Sequence, residues 1–296
     1  MKRPAGMHET PTFIQQNEGK QDFGSIYDSP DPYGYYQTLG RFDYVIPAEA
    51  KPVLERVIAE LQGFNNEDRL RIVDVGCSYG VNSALLKCDL QMDDLYRYYA
   101  SRGPQPNGAA VGPDSRFFES QGRGRPLEVV GLDVAGKAVE YGREAGLLDE
   151  GITRDLEAGP LPTEEAGKVA QTDLVISTGC VGYVTEKTFE RLLSAVESER
   201  APWIASFVLR MFPYTKIEES LLKLGLVTEK LEDRLFPQRS FATSEERDHC
   251  VAALERTGRD ASAELADDRY YAEFFLSRPA AQVGQVPLEE FWPSDT

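Results

Sequence analysis

Arg71-Ile-Val-Asp-Val-Gly-Cys-Ser-Tyr-Gly-Val-Asn-Ser-Ala-Leu-Leu86 reads as a short buried strand, a glycine turn and the start of a helix. Ile72, Val73 and Val75 are β-branched and suit a pleated, buried strand. Asp74 is an acid at the carboxyl end of that strand, where a packed strand would otherwise be apolar. Gly76 and Gly80 flank a tight turn through which backbone can pass close to a ligand. Asn82-Ser-Ala-Leu-Leu86 then opens a helix whose first N–H groups face the same crevice. In open α/β sheets ligands sit outside the carboxyl ends of the strands. A phosphate loop would need a Gly-Lys-Ser/Thr ending, which is missing. A dinucleotide pyrophosphate would sit badly beside the charge of Asp74.

Asp74-Val-Gly76-Cys-Ser-Tyr-Gly80 resembles the first motif of class I S-adenosylmethionine (SAM) dependent methyltransferases: an acid, an apolar residue, then Gly-x-Gly-x-Gly. The departure is Ser78 in place of the middle glycine, which fits if the backbone there keeps a negative φ. The resemblance implies an α/β fold. It is the Rossmann-like, seven-stranded class I methyltransferase fold, with helices on both faces and an antiparallel last strand inserted between its neighbours. SAM is then the expected cofactor.

The strands after the motif extend the resemblance. Leu127-Glu-Val-Val-Gly-Leu-Asp133 is a second strand ending in an acid that can accept from both ribose hydroxyls. As a lone feature such an Asp is a helix cap. Gly151-Ile-Thr-Arg-Asp155-Leu156 is a third, where the family places an acid and a backbone N–H against adenine. Thr172-Asp-Leu-Val-Ile-Ser177 is a fourth, and the Thr178–Tyr183 loop follows as a pocket wall near the sulfonium. The implied cofactor-binding set is Asp74, Gly76, Cys77, Gly80, Asn82, Asp133, Val134, Asp155, Leu156 and Ser177. Tyr183 and Tyr33 are the candidate catalytic residues, although any tyrosine here could equally be core filling.

The sequence has 296 residues and a formal charge of −17, which would repel a phosphate backbone at long range. The basic cluster Arg116–Arg125 is short and reads as a solvated loop. Nucleic acid is therefore not an expected partner, and a small-molecule substrate is. The four cysteines, Cys77, Cys88, Cys180 and Cys250, show no Cys-x-x-Cys spacing, and the two histidines, His8 and His249, are far apart. No metal site is expected. Scattered cysteines without a signal peptide fit a reducing cytoplasm. No apolar run approaches membrane-spanning length.

Residues 1–47 read as a polar tail followed by an aromatic strap or lid, with Tyr27, Tyr33, Tyr35, Tyr36, Phe42 and Tyr44. Disordered tails are poor in aromatics, so this piece should pack on something. Residues 48–278 form the SAM-binding domain, opened by an amphipathic helix from Pro47 to Leu61. Residues 101–126, rich in Gly, Pro and Arg, read as an inserted loop. Residues 279–296 are a tail.

Three functions fit. The first is methyl transfer to a small acceptor, with no metal and an Asp or Tyr as any base. The second rests on a further resemblance, through the Asp74–Asn82 run and the aromatic strap, to enzymes that cyclise SAM to azetidine-2-carboxylate and methylthioadenosine. The third is non-catalytic SAM binding, with the insertion as a contact surface.

Overall fold

The computed structural model describes residues 24–88, 90–105, 111–122, 126–197 and 201–291. The polar tail with His8, the centre of the insertion and the last residues of the C-terminal tail lie outside them. Among the described residues the strands are β1 (Leu70–Val75), β2 (Leu127–Asp133), β3 (Glu150–Thr153), β4 (Leu174–Thr178), β5 (Trp203–Leu209), β6 (Leu226–Lys230), β7 (Phe236–Ser240) and β8 (Arg269–Pro279). The helices before β2 are α1 (Gly24–Tyr27), α2 (Tyr33–Gly40), α3 (Ile46–Asn65), α4 (Val81–Lys87), α5 (Met92–Arg102) and α6 (Val111–Ser120). After it come α7 (Gly136–Glu144), α8 (Thr163–Val169), α9 (Glu186–Leu193), α10 (Thr215–Lys223), α11 (Ser244–Arg256), α12 (Ser262–Asp267) and α13 (Ala280–Val283).

One sheet has the order β3-β2-β1-β4-β5-β8-β6, with β7 also paired to β8. β1 to β5 are parallel, and β8 runs antiparallel between β5 and its other neighbours. This is the order and orientation expected of a class I methyltransferase sheet. The expectation of seven strands needs one correction. β6 pairs with Phe275–Pro279 of the long β8, while β7 pairs with Arg269–Ala272 along the same edge. The sixth position is thus shared by two short strands laid end to end. The break between them holds Asp233 at a positive φ of 57°.

The parallel strands are buried on both faces because helices cover both. Alternation along β1 assigns each residue a side. Leu70 and Ile72 join Val53, Leu54, Val57 and Ile58 of α3 in one core. Val73 and Val75 join the opposite core, with Phe189 and Leu192 of α9 and Ile217 and Leu221 of α10. Asp74 alternates with Val73 and Val75 and ends up wholly buried at the strand tip.

A third core, rich in tyrosine, joins the N-terminal segment to the rest. Tyr36 stacks on Tyr99 of α5, with centroids 4.1 Å apart and planes 7° from parallel. Tyr35 meets Tyr79 of the glycine turn edge-on at 5.4 Å. The Tyr79 hydroxyl donates to Ile26 O at 2.8 Å and accepts from Ser29 N–H at 2.9 Å. Tyr96 donates to Tyr44 O at 2.6 Å, and Asp28 accepts from Lys137 N–H at 2.8 Å. Ser240 N–H donates to Phe42 O at 2.7 Å, and Val45 N–H to Gln238 O at 2.8 Å. The strap is therefore tied to α5, the turn, α7 and β7.

The insertion differs from the expected loop, since Val111–Ser120 is helical as α6. Pro113 stands in its first turn, where a missing N–H removes no intrahelical bond. The helix buries Phe118 and Asp114. Asp114 accepts from the hydroxyls of Tyr98 and Tyr141, both at 2.6 Å. Arg102 lies between Asp114, with Nε 3.3 Å away, and Asp31 of the strap. The insertion thus anchors the strap through a buried charge pair.

Candidate functional site

The turn after β1 alternates between ordinary and left-handed backbone. Gly76 has φ +75°, Ser78 +48° and Gly80 +79°. The expected negative φ at Ser78 is therefore overturned. The cause is a hydrogen bond: curling the chain at Ser78 brings its N–H to Asp133 Oδ2 at 2.8 Å. The Ser78 hydroxyl is buried with no hydrogen-bond partner. At Gly76 the backbone also passes so close to the β4 loop that an added Cβ would lie 2.6 Å from Cys180 Cβ. Gly80 sits at the N-terminus of α4.

Asp74 and Asn82 form one unit. The Asn82 amide donates to both Asp74 oxygens, at 3.1 and 3.2 Å, and to Thr178 Oγ1 at 2.9 Å. Burial pushes the Asp74 carboxyl up to about 7; the Asn82 hydrogen bond opposes the shift and nearby Asp133 adds to it. Asn82 Oδ1 is buried and has no partner, so this end of the crevice holds an unused acceptor beside the carboxyl. Ser177 ends its run fully buried, with its hydroxyl 2.9 Å from Cys180 Sγ. The Cys180 thiol donates to Val75 O at 3.1 Å, and burial pushes it up to about 12. Cys77 is buried beneath the turn, its thiol also pushed well up by burial. Neither cysteine is a thiolate at neutral pH, which fits small turn residues better than nucleophiles.

At the β2 tip Asp133 accepts from Ser78 N–H and, at 3.0 Å, from Ala135 N–H. Burial nonetheless raises its carboxyl above the usual range, against those backbone donors. Val134, the next residue, is 65% exposed. An apolar side chain left open beside a half-buried acid is what a flat aromatic ligand would cover. β3 stops at Thr153, short of the expected Leu156. Asp155 is exposed and accepts from Glu157 N–H at 2.8 Å, while Leu156 is buried in the core beneath α9.

The crevice is covered by the strap. Tyr44 lies within electrostatic reach of Asp74 and Cys180, and Tyr27 of Tyr44, Tyr183, Arg239 and Asp133. Tyr27 meets Tyr35 edge-on at 5.5 Å, and Tyr35 meets Tyr44 at 6.4 Å. Burial raises all three phenols, so they are neutral at physiological pH. Tyr183 stands on the facing β4–α9 loop, 39% exposed. Tyr33 opens α2 with its N–H on Asp31 Oδ1 at 3.0 Å, and its side chain takes no part in the Tyr27–Tyr35–Tyr44 cluster.

The sequence did not mark the far wall as part of the site. Gln238, Arg239 and Tyr270 come from β7 and β8. Arg239 pairs through both terminal nitrogens with Glu246, at 2.9 and 2.8 Å, and lies 4.9 Å above the Tyr270 ring. A strand running towards Phe241 is legible in the sequence, but nothing in Phe-Pro-Gln-Arg-Ser marks which of its residues reaches the β4 loop. Among the described residues no cluster of His, Cys, Asp and Glu could hold a metal, and no helix is long and apolar enough to cross a membrane.

No family model matches this chain, and no curated protein does. Solved structures do. Magnesium protoporphyrin IX methyltransferase from Synechocystis PCC 6803, with bound SAM, is 14% identical over 90% of this chain and 89% of its own, at a TM-score of 0.39. A TehB-like SAM-dependent methyltransferase from Corynebacterium glutamicum is 14% identical over 74% and 85%, at 0.34. The cyclase SpnF is 13% identical over 76% and 80%, at 0.36.

Proposed function

We propose that this chain binds SAM in the crevice at the tips of β1, β2 and β4 and catalyses displacement at a carbon activated by its sulfonium. The observation that carries the reading is the pair of acids at successive strand tips, Asp74 wholly buried and Asp133 half-buried, with the Asn82 amide held on the first and the Ser78 N–H on the second across a left-handed glycine turn. Asp133 offers its remaining lone pairs to ribose hydroxyls, and Val134 offers a bare apolar surface to adenine. The faces of Tyr27, Tyr35 and Tyr44 favour a positive sulfur. Sulfonium chemistry asks little of the protein beyond holding a nucleophile in line and keeping water out.

The first reading is methyl transfer. A lone pair of a small acceptor attacks the methyl carbon, the C–S bond breaks, and S-adenosylhomocysteine leaves with the electron pair. The acidic charge of the chain and the aromatic cover both favour a small acceptor over a polymer. The phenols stay protonated, so Asp74, at about 7, is the group suited to exchange a proton near neutrality.

The second reading is intramolecular cyclisation, favoured by the cover itself. The strap is held at α5, the turn, α7 and β7, and a strap so tied leaves less room for a second substrate. Here the cofactor's own amine attacks its γ-carbon, the C–S bond breaks, and methylthioadenosine leaves as azetidine-2-carboxylate closes. The test is incubation with SAM alone, followed by mass spectrometry. Methylthioadenosine with a cyclic amino acid supports cyclisation. S-adenosylhomocysteine formed only when an acceptor is added supports methyl transfer. SAM left intact under every condition would overturn both.

A further inference from the structure

The pairing of β7 with β8 slips by one residue between Pro237 and Arg239, leaving Gln238 without a partner across the ladder. Bulges of this kind re-aim a side chain, and they gather next to active sites. The Gln238 carbonyl turns to the strap, accepting from Val45 N–H at 2.8 Å. Its side chain turns the other way. Gln238 is 8% exposed, and among the described residues its amide has no hydrogen-bond partner. Nε2 reaches the β4 loop so closely that a Cβ on Gly179 would lie 2.8 Å from it. Gly179, at φ +78°, directly follows Thr178, which the Asn82 amide contacts. β7 runs antiparallel to β8, as does β5, so Gln238 comes to the same end of the sheet as the tips of β4 and β5.

A side chain that is nine-tenths buried, with its amide at the accessible end and making no protein hydrogen bond, is a position that a ligand can complete. Its chemistry follows from the two walls. The β1 side offers acceptors: the Asp74 carboxyl and the unpartnered Asn82 Oδ1. The β7 side offers donors: Gln238 Nε2, the neutral phenols of the strap and, behind them, the Arg239 guanidinium. An α-amino-acid group matches this division, with its ammonium on the first wall and its carboxylate on the second. We infer that Gln238 is a specificity-determining residue that donates Nε2–H to the carboxylate of a bound α-amino-acid group. That group is either the methionyl end of SAM or a small amino-acid acceptor. The inference rests on the SAM-binding reading above.

The test compares wild type with Gln238→Leu, which keeps the bulk and loses the donor, and with Gln238→Glu, which turns it into an acceptor. Calorimetric titrations use SAM and decarboxylated SAM. Wild type that ignores SAM would remove the underlying reading. If SAM binds and the carboxylate is its own, Q238L weakens SAM on the order of 10- to 100-fold, as for a lost hydrogen bond to a charged group, and Q238E weakens it further. Decarboxylated SAM then binds the three proteins alike. If the carboxylate belongs to an acceptor, SAM affinity is unchanged. Saturation-transfer NMR with the twenty common L-amino acids on protein loaded with S-adenosylhomocysteine then gives a signal that both variants lose. The inference is overturned if folded Q238L and Q238E match wild type in both arms, or if they weaken SAM and decarboxylated SAM equally.

Discussion

Replacing Ser78 with glycine should stabilise the protein. Ser78 holds φ +48° because its N–H must reach Asp133 at 2.8 Å. A residue with a Cβ loses about 1–2 kcal/mol in that region relative to right-handed backbone. Its hydroxyl is also buried without a partner, which costs about 1–3 kcal/mol. Glycine removes both penalties and keeps the N–H. Against this, the freer unfolded chain costs roughly 0.5–1 kcal/mol. The balance favours glycine by roughly 1–4 kcal/mol. Urea unfolding reads this as a higher midpoint at unchanged slope. SAM affinity should stay within about threefold, since position 78 serves the site through its backbone. A Ser78→Gly protein no more stable than wild type would refute the strain argument, and one that lost SAM would show that the hydroxyl is a ligand.

Other perturbations test other contacts. Burial holds the folded Asp74 carboxyl at about 7, above its unfolded value of 3.8. Its stabilising contribution is thus complete below pH 3.8 and is lost as pH climbs towards 7. Asp74→Asn removes this dependence, so its stability relative to wild type should rise between pH 4 and 7, by up to roughly 4 kcal/mol; a difference that stays flat with pH in denaturation series would contradict it. Asp133→Ala should weaken SAM by about 1.5–3 kcal/mol in calorimetry, and unchanged affinity would remove the ribose assignment. Arg102→Met leaves Asp31 and Asp114 facing each other in a buried setting, and about 3–5 kcal/mol should be lost. Limited proteolysis should then cut within residues 24–45 faster than in wild type, whereas identical cleavage would show that the strap does not depend on this pair.

The parts of the fold that read clearly from sequence are those where one residue's surroundings are local. Val73 and Val75 alternate with Asp74, so the strand and its buried acid follow from period two. Gly76 and Gly80 stand where left-handed backbone is needed. The aromatic strap declared itself through six aromatic residues between Tyr27 and Tyr44. Ser78 misled because the sign of its φ is set by Asp133, fifty-five residues on. α6 was hidden because Gly112 and Pro113 read as loop, and the partners that bury Asp114, namely Tyr98, Tyr141 and Arg102, lie outside that helix. The second wall was hidden for the same reason. Gln238 stands at the slip in register between β7 and β8, and such a slip leaves no local mark.

The account stands or falls on whether the two acids and the turn between them hold an adenosyl sulfonium compound. Isothermal titration of purified, folded protein with SAM, and separately with S-adenosylhomocysteine, addresses this directly. Saturable binding of SAM with one site per chain, lost or sharply weakened in Asp133→Ala, is the predicted result. A folded wild-type protein giving no saturable heat and no thermal shift with either compound would contradict it.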